Sequence, residues 1–97
     1  TVNGDSIATN TTLTSNNHTV KVDTNGGPVT VTMPATVPGT STQFWYCLIK
    51  DAGNAAGTNN ITIDGNGHNI DFASTAAIKR SGGALGIFAD GTQFYIW

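Results

Sequence analysis

The sequence predicts an all-β fold, about eight short antiparallel strands arranged as a β-sandwich or barrel, and three observations carry that reading. Apolar residues alternate with Thr, Lys or Asp in run after run, the period of a half-buried strand. Turn chemistry recurs between the runs: Asn25-Gly26-Gly27, Asp64-Gly65-Asn66-Gly67 and Asp90-Gly91 supply the positive-φ positions that close hairpins. No run carries the i, i+3, i+4, i+7 apolar stripe of an amphipathic helix, so nothing helical beyond a short turn is expected.

Residues 1–17 are rich in Thr, Asn and Ser, with Val2, Ile7 and Leu13 as sparse apolar points. They read as an extended N-terminal arm with one weak strand over 6–14, and residues 18–97 as a single β-domain. Within that domain Val20 and Val22 alternate with Thr19, Lys21 and Asp23, and Val29, Val31 and Met33 alternate with Thr30 and Thr32. Two β-branched runs joined by Asn-Gly-Gly predict a hairpin with its Val faces inward and its Thr faces in water. Pro34 and Pro38 then end pairing, because proline has no N–H to donate to a ladder.

Residues 42–50, TQFWYCLIK, are the most apolar run and the predicted central strand. Phe44, Tyr46 and Leu48 would share one face, and Trp45, Cys47 and Ile49 the other. A strand apolar on both faces fits the middle of a sandwich or a second face covered by another subunit. The following loop, 51–59, holds only small or polar residues and is not expected to anchor a core. Ile61 and Ile63, then Ile70 and Phe72, flank the Asp64 to Gly67 turn as a second hairpin over 60–72. Residues 73–78 form a further strand, and 84–89 with 92–97 form a last hairpin across Asp90-Gly91. In it Phe94 and Ile96 share one face, and Tyr95 and Trp97 the other.

The bounds on function come from what the chain lacks. Val, Ile, Leu and Phe make 21 of 97 residues, close to the roughly 20% below which a highly charged chain is disordered, but charge here is low and the shortage reads as a thin core. A core this thin is expected to draw buried contact from other subunits, hence a homo-oligomer. A net charge of −2 and a pI near 5.3 offer no electrostatic footprint for nucleic acid or an anionic membrane. Lys79 and Arg80 read as a solvated pair. Nothing approaches the roughly 18 apolar residues of a membrane span, and no signal peptide is expected. The first residue, Thr1, fits a chain processed or cut from something longer.

A single cysteine, Cys47, excludes an internal disulfide, and its apolar neighbours predict a buried thiol rather than a nucleophile. All six carboxylates are Asp and lie in or beside predicted turns, where Asp bonds its own following backbone. That placement requires no active site. His18 has no motif joining it to Ser6, Ser15 or Ser41 as a triad. Asp64, Asn66, Asn69 and Asp71 carry calcium-type oxygen ligands, but their spacing is not that of an EF-hand and a plain turn accounts for them. His18 and His68 read as turn-capping or solvated. No enzyme activity, cofactor or metal is expected. Trp45, Tyr46, Tyr95 and Trp97 are the large amphipathic aromatics: buried, they are core or subunit interface; exposed, they would stack on the sugars of a host glycan. The thin core favours burial.

Taken in order, residues 20–35 (VKVDTNGGPVTVTMPA), 49–71 (IKDAGNAAGTNNITIDGNGHNID) and 88–97 (FADGTQFYIW) resemble a small β-domain of tailed-bacteriophage virion proteins, found near the C-termini of tail-fibre and appendage proteins. The resemblance implies a homotrimeric structural module exposed on the virion, in contact with other virion proteins and adjacent to host binding, and not an enzyme. The chain departs from a fibre in showing no long heptad or β-helical shaft ahead of it. A capsid cement or decoration protein is therefore the alternative within the resemblance, and a monomeric carbohydrate-binding module is the alternative outside it.

Overall fold

A computed structural model of the protein describes residues 4–96. Within them the chain forms nine short strands and no helix: β1 (Gly4–Ile7), β2 (Thr11–Thr12), β3 (Thr19–Val22), β4 (Val29–Thr32), β5 (Trp45–Asp51), β6 (Ile61–Asp64), β7 (Thr75–Ile78), β8 (Ala84–Ala89) and β9 (Phe94–Ile96). Sheet A has the order β1-β3-β5-β8-β9 and sheet B the order β2-β4-β6-β7. From β1 to β6 the chain alternates between the sheets, and each strand lies parallel to its predecessor in the same sheet. This path makes three stacked rungs of a parallel β-solenoid. The last strands close it: β7 returns antiparallel along β6, while β8 adds antiparallel to β5 and β9 antiparallel to β8.

The all-β class is as the sequence predicts, but the antiparallel arrangement is not. The clearest departure is the hairpin expected over residues 18–35. Its two strands, β3 and β4, belong to different sheets, and Asn25-Gly26-Gly27 turns a corner between them. Val20 and Val22 on one sheet and Val29 and Val31 on the other are each at most 2% exposed, so the two Val rows bury themselves in one core between the sheets. A hairpin and a corner share the same alternation and the same turn residues, and the partners that decide between them are distant in sequence. Val20 lies beside Ile49, and Val31 beside Ile63.

The second expected hairpin keeps its first strand and turn but not its second strand. β6 pairs with β7, and Ile70 makes only isolated bridges, to Ala73 and to Phe94. The terminal hairpin, β8 with β9, forms as expected. The stretch 1–17, read as an arm, contributes β1 and β2 within its described part, and Leu13 is buried. Val2 lies outside the described residues.

The core between the sheets is built by the inward residues of each strand, with Met33, Ile70 and Phe94 fully covered. Each such aliphatic or aromatic side chain contributes about 1.5–3 kcal/mol on burial. The loop after β5 does reach this core, contrary to the reading of its composition. Ala56 is fully buried there, and its N–H donates to Asp51 Oδ2 at 3.0 Å. A methyl group is enough to anchor a loop when a buried carboxylate fixes the backbone around it.

Candidate interaction face on sheet A

The two sheets show water very different outer faces. On sheet B the outward positions are Thr30 beside Thr62, and Thr32 between Thr12 and Asp64. That face is short and polar. On sheet A the outward positions of β5, with the residue before it, are Phe44, Tyr46, Leu48 and Lys50. They stay uncovered: Phe44 is 61% exposed, Tyr46 41% and Leu48 40%.

Neighbouring strands extend this patch by register. Tyr46 lies opposite Phe88 on β8, and Phe88 opposite Tyr95 on β9. Phe44 stacks on Phe88 with ring centroids 5.6 Å apart and planes at 27°, and Phe88 stacks on Tyr95 at 5.0 Å and 21°. Because β8 runs between β5 and β9, Phe88 has a ring against each of its faces. The three rings therefore stand on the sheet like books on a shelf, with ring edges toward solvent. Such an array packs well against another apolar surface or an aromatic face. Phe88, at the centre of the row with a ring against each face, has no open face on which to stack a sugar.

Polar groups frame the patch. Asp90 accepts the N–H groups of Thr92 and Gln93 through Oδ1. Tyr95 donates its hydroxyl to Asp90 Oδ2 at 3.2 Å, and Gln93 Nε2 donates to the same hydroxyl oxygen at 2.7 Å. The backbone amides of Gln93 and Thr92 hold the Asp90 carboxyl below its ordinary value, with the Tyr95 hydroxyl adding to them. His18 sits at the aromatic end, its Nδ1 bonded to Tyr46 O at 2.9 Å. At the far end of the face Lys21 and Lys50 lie side by side, and Lys50 donates its ammonium to Gly82 O.

The four aromatics singled out from sequence do not act together. Tyr46 and Tyr95 share the outer face of sheet A, linked through Phe88. Trp45 is turned the other way, 6% exposed and edge-on to Phe94, with its indole N–H satisfied by Ser15 O at 3.0 Å. It is a core residue. Trp97 lies outside the described residues. Phe44 and Phe88, which complete the stack, went unremarked as site residues because neither carries a polar atom; the β5–β8 register that joins them is not visible in sequence.

Chemistry at the other candidates is quiet. Cys47 is fully buried, and burial, with the nearby Asp5 carboxylate, pushes its thiol up to about 12. It packs as a small hydrophobe. Asp64 Oδ1 accepts the Asn66 N–H at 2.9 Å, and Asn66 Nδ2 donates to Met33 O at 3.1 Å, so these residues serve a turn. A scan against protein-family models found no match to this chain, and a search of the curated proteins also found none.

Proposed function

We propose that this protein is a structural module of a tailed-bacteriophage virion, a homotrimer in which the outer face of sheet A is buried between copies, exposed on the particle as a tail-fibre or appendage domain. The observation that carries the reading is the contrast between the two outer faces: one Thr-lined, the other a continuous row of Phe44, Phe88, Tyr95, Tyr46 and Leu48. Apolar surface of this kind on a small domain marks an interaction site. The ordered motifs over residues 20–35, 49–71 and 88–97 supply the virion part of the reading. The parallel rungs support it too, since a solenoid presents its faces on a rigid, self-bonded scaffold.

The covered faces of Phe88 at the centre of the row argue against the carbohydrate-binding alternative. The cement alternative differs from an appendage only in where on the particle the module sits, which copy number decides. Quantitative mass spectrometry of particles purified from the phage that encodes the chain is the test. We expect its peptides in stoichiometry with tail proteins. Stoichiometry with the major capsid protein would move the module to the head, and absence from the particles would overturn the virion reading.

A further inference from the structure

Among the described residues, the turn at Asp71 and Phe72 places two consecutive non-glycine residues at positive φ. Ile70 and Ala73 bond to each other in both directions, 2.6 and 3.1 Å, across a two-residue loop whose φ values are +49° at Asp71 and +73° at Phe72. This is the pattern of a type I′ turn, which favours Asn-Gly. Elsewhere the chain uses such cheap pairs, Asn66-Gly67 among them, with φ of +57° and +87°. Here it places a bulky aromatic in the left-handed region, a true outlier for such a residue. That aromatic is also 86% exposed, so the cost of solvating a phenyl ring adds to the backbone strain.

The turn is held rigidly in place. Ile70 is fully buried beneath it, Asp71 donates its N–H to Phe94 O at 3.1 Å, and Phe94 donates back to Asn69 O. Phe72 is thus a projection held beside β9, the edge strand of sheet A. A residue expensive on both counts, on a mount this firm, points to a contact made outside the chain.

We propose that Phe72 is a docking finger for a second copy of this chain, seating on the outer face of the neighbour's sheet A; this rests on the self-association proposed above. Two complementarities between finger and face choose that occupant. The face presents ring edges of Phe44, Phe88 and Tyr95, and the finger presents an open ring, the pairing that aromatic quadrupoles favour. Beside the finger stands the Asp71 carboxylate, and along the same face, beyond Leu48, stand Lys21 and Lys50, the latter already donating to Gly82 O. Finger and face are different patches of one chain, so the contact is heterologous, the kind that closes into a ring when the rotation allows it.

Complementation between variants tests this. Asp71→Asn/Phe72→Gly removes the finger and installs the turn's preferred pair; Phe44→Ser damages the face at a largely exposed position. The finger variant is expected to unfold at a higher temperature than wild type when both are monomeric, and each variant alone to associate at least about tenfold more weakly. Mixed, they retain one intact finger and one intact face, and a 1:1 complex of about twice the 10.0 kDa chain mass is expected. If the finger variant assembles like wild type while Phe44→Ser does not, the finger is wrong and face-mediated self-association stands. Failure of the mixture to form the 1:1 complex overturns the heterologous contact, and a wild type that is monomeric at every concentration overturns both readings.

Discussion

Among the described residues, Asp51 carries a buried carboxylate. It ends β5 with its side chain buried, and Oδ2 accepts the N–H groups of Ala56 and Gly82 at 3.0 and 2.9 Å. One carboxylate so ties the loop after β5 to the turn before β8. Burial alone would raise its pKa, but the backbone amides of Ala56, Gly82, Ala55 and Gly53 together outweigh burial and hold it below its ordinary value. A folded-state value below the unfolded one makes the contribution full above the unfolded value, and the contribution is lost as pH falls through the folded one. Asp51→Ala should therefore cost about 2 kcal/mol at neutral pH, since it strands the buried Ala56 amide and the part-buried Gly82 amide. Urea titrations across pH 2–6, a window set about the ordinary carboxylate value, should show the wild type losing more stability in acid than Asp51→Asn does. At this scale the alternation along residues 44–50 was legible, and it separates Trp45 from Tyr46 correctly. Asp51 was not legible as a buried hub, because nothing local distinguishes it from the turn aspartates.

The strands themselves were largely visible as elements, while their partners, the terminal β8–β9 hairpin apart, were not. β3, β4, β5, β6, β8 and β9 all lie in runs that alternation picks out, because burial on one face imposes that period whatever the neighbour. Parallel pairing is set by contacts such as Val20 with Ile49 and Val29 with Ile61, which no turn signal announces. Turns therefore read as hairpins even where they are corners. One turn is specified strictly by its glycine. At Gly65 an added Cβ would fall 1.9 Å from His68 O, a backbone atom, so the 64–68 turn must move to admit it. Gly65→Ala is expected to destabilise the protein by about 1–3 kcal/mol in equilibrium unfolding, whereas Gly67→Ala, where the Cβ meets open space, should act only through its positive φ and cost less.

For the whole molecule, what matters is that one wound chain has two outer faces of opposite character. The sequence shows that the central strand is apolar on both sides, and the topology decides what that means: one side makes the core, the other faces outward beside β8 and β9. Self-association through that outward side is the central claim. It is tested most directly by multi-angle light scattering of the protein over a dilution series, with Phe44→Ser alongside. The account predicts a wild-type mass about three times the 10.0 kDa of one chain that persists on dilution, and a Phe44→Ser mass that falls toward a single chain. A wild-type mass of 10.0 kDa at all concentrations would contradict it.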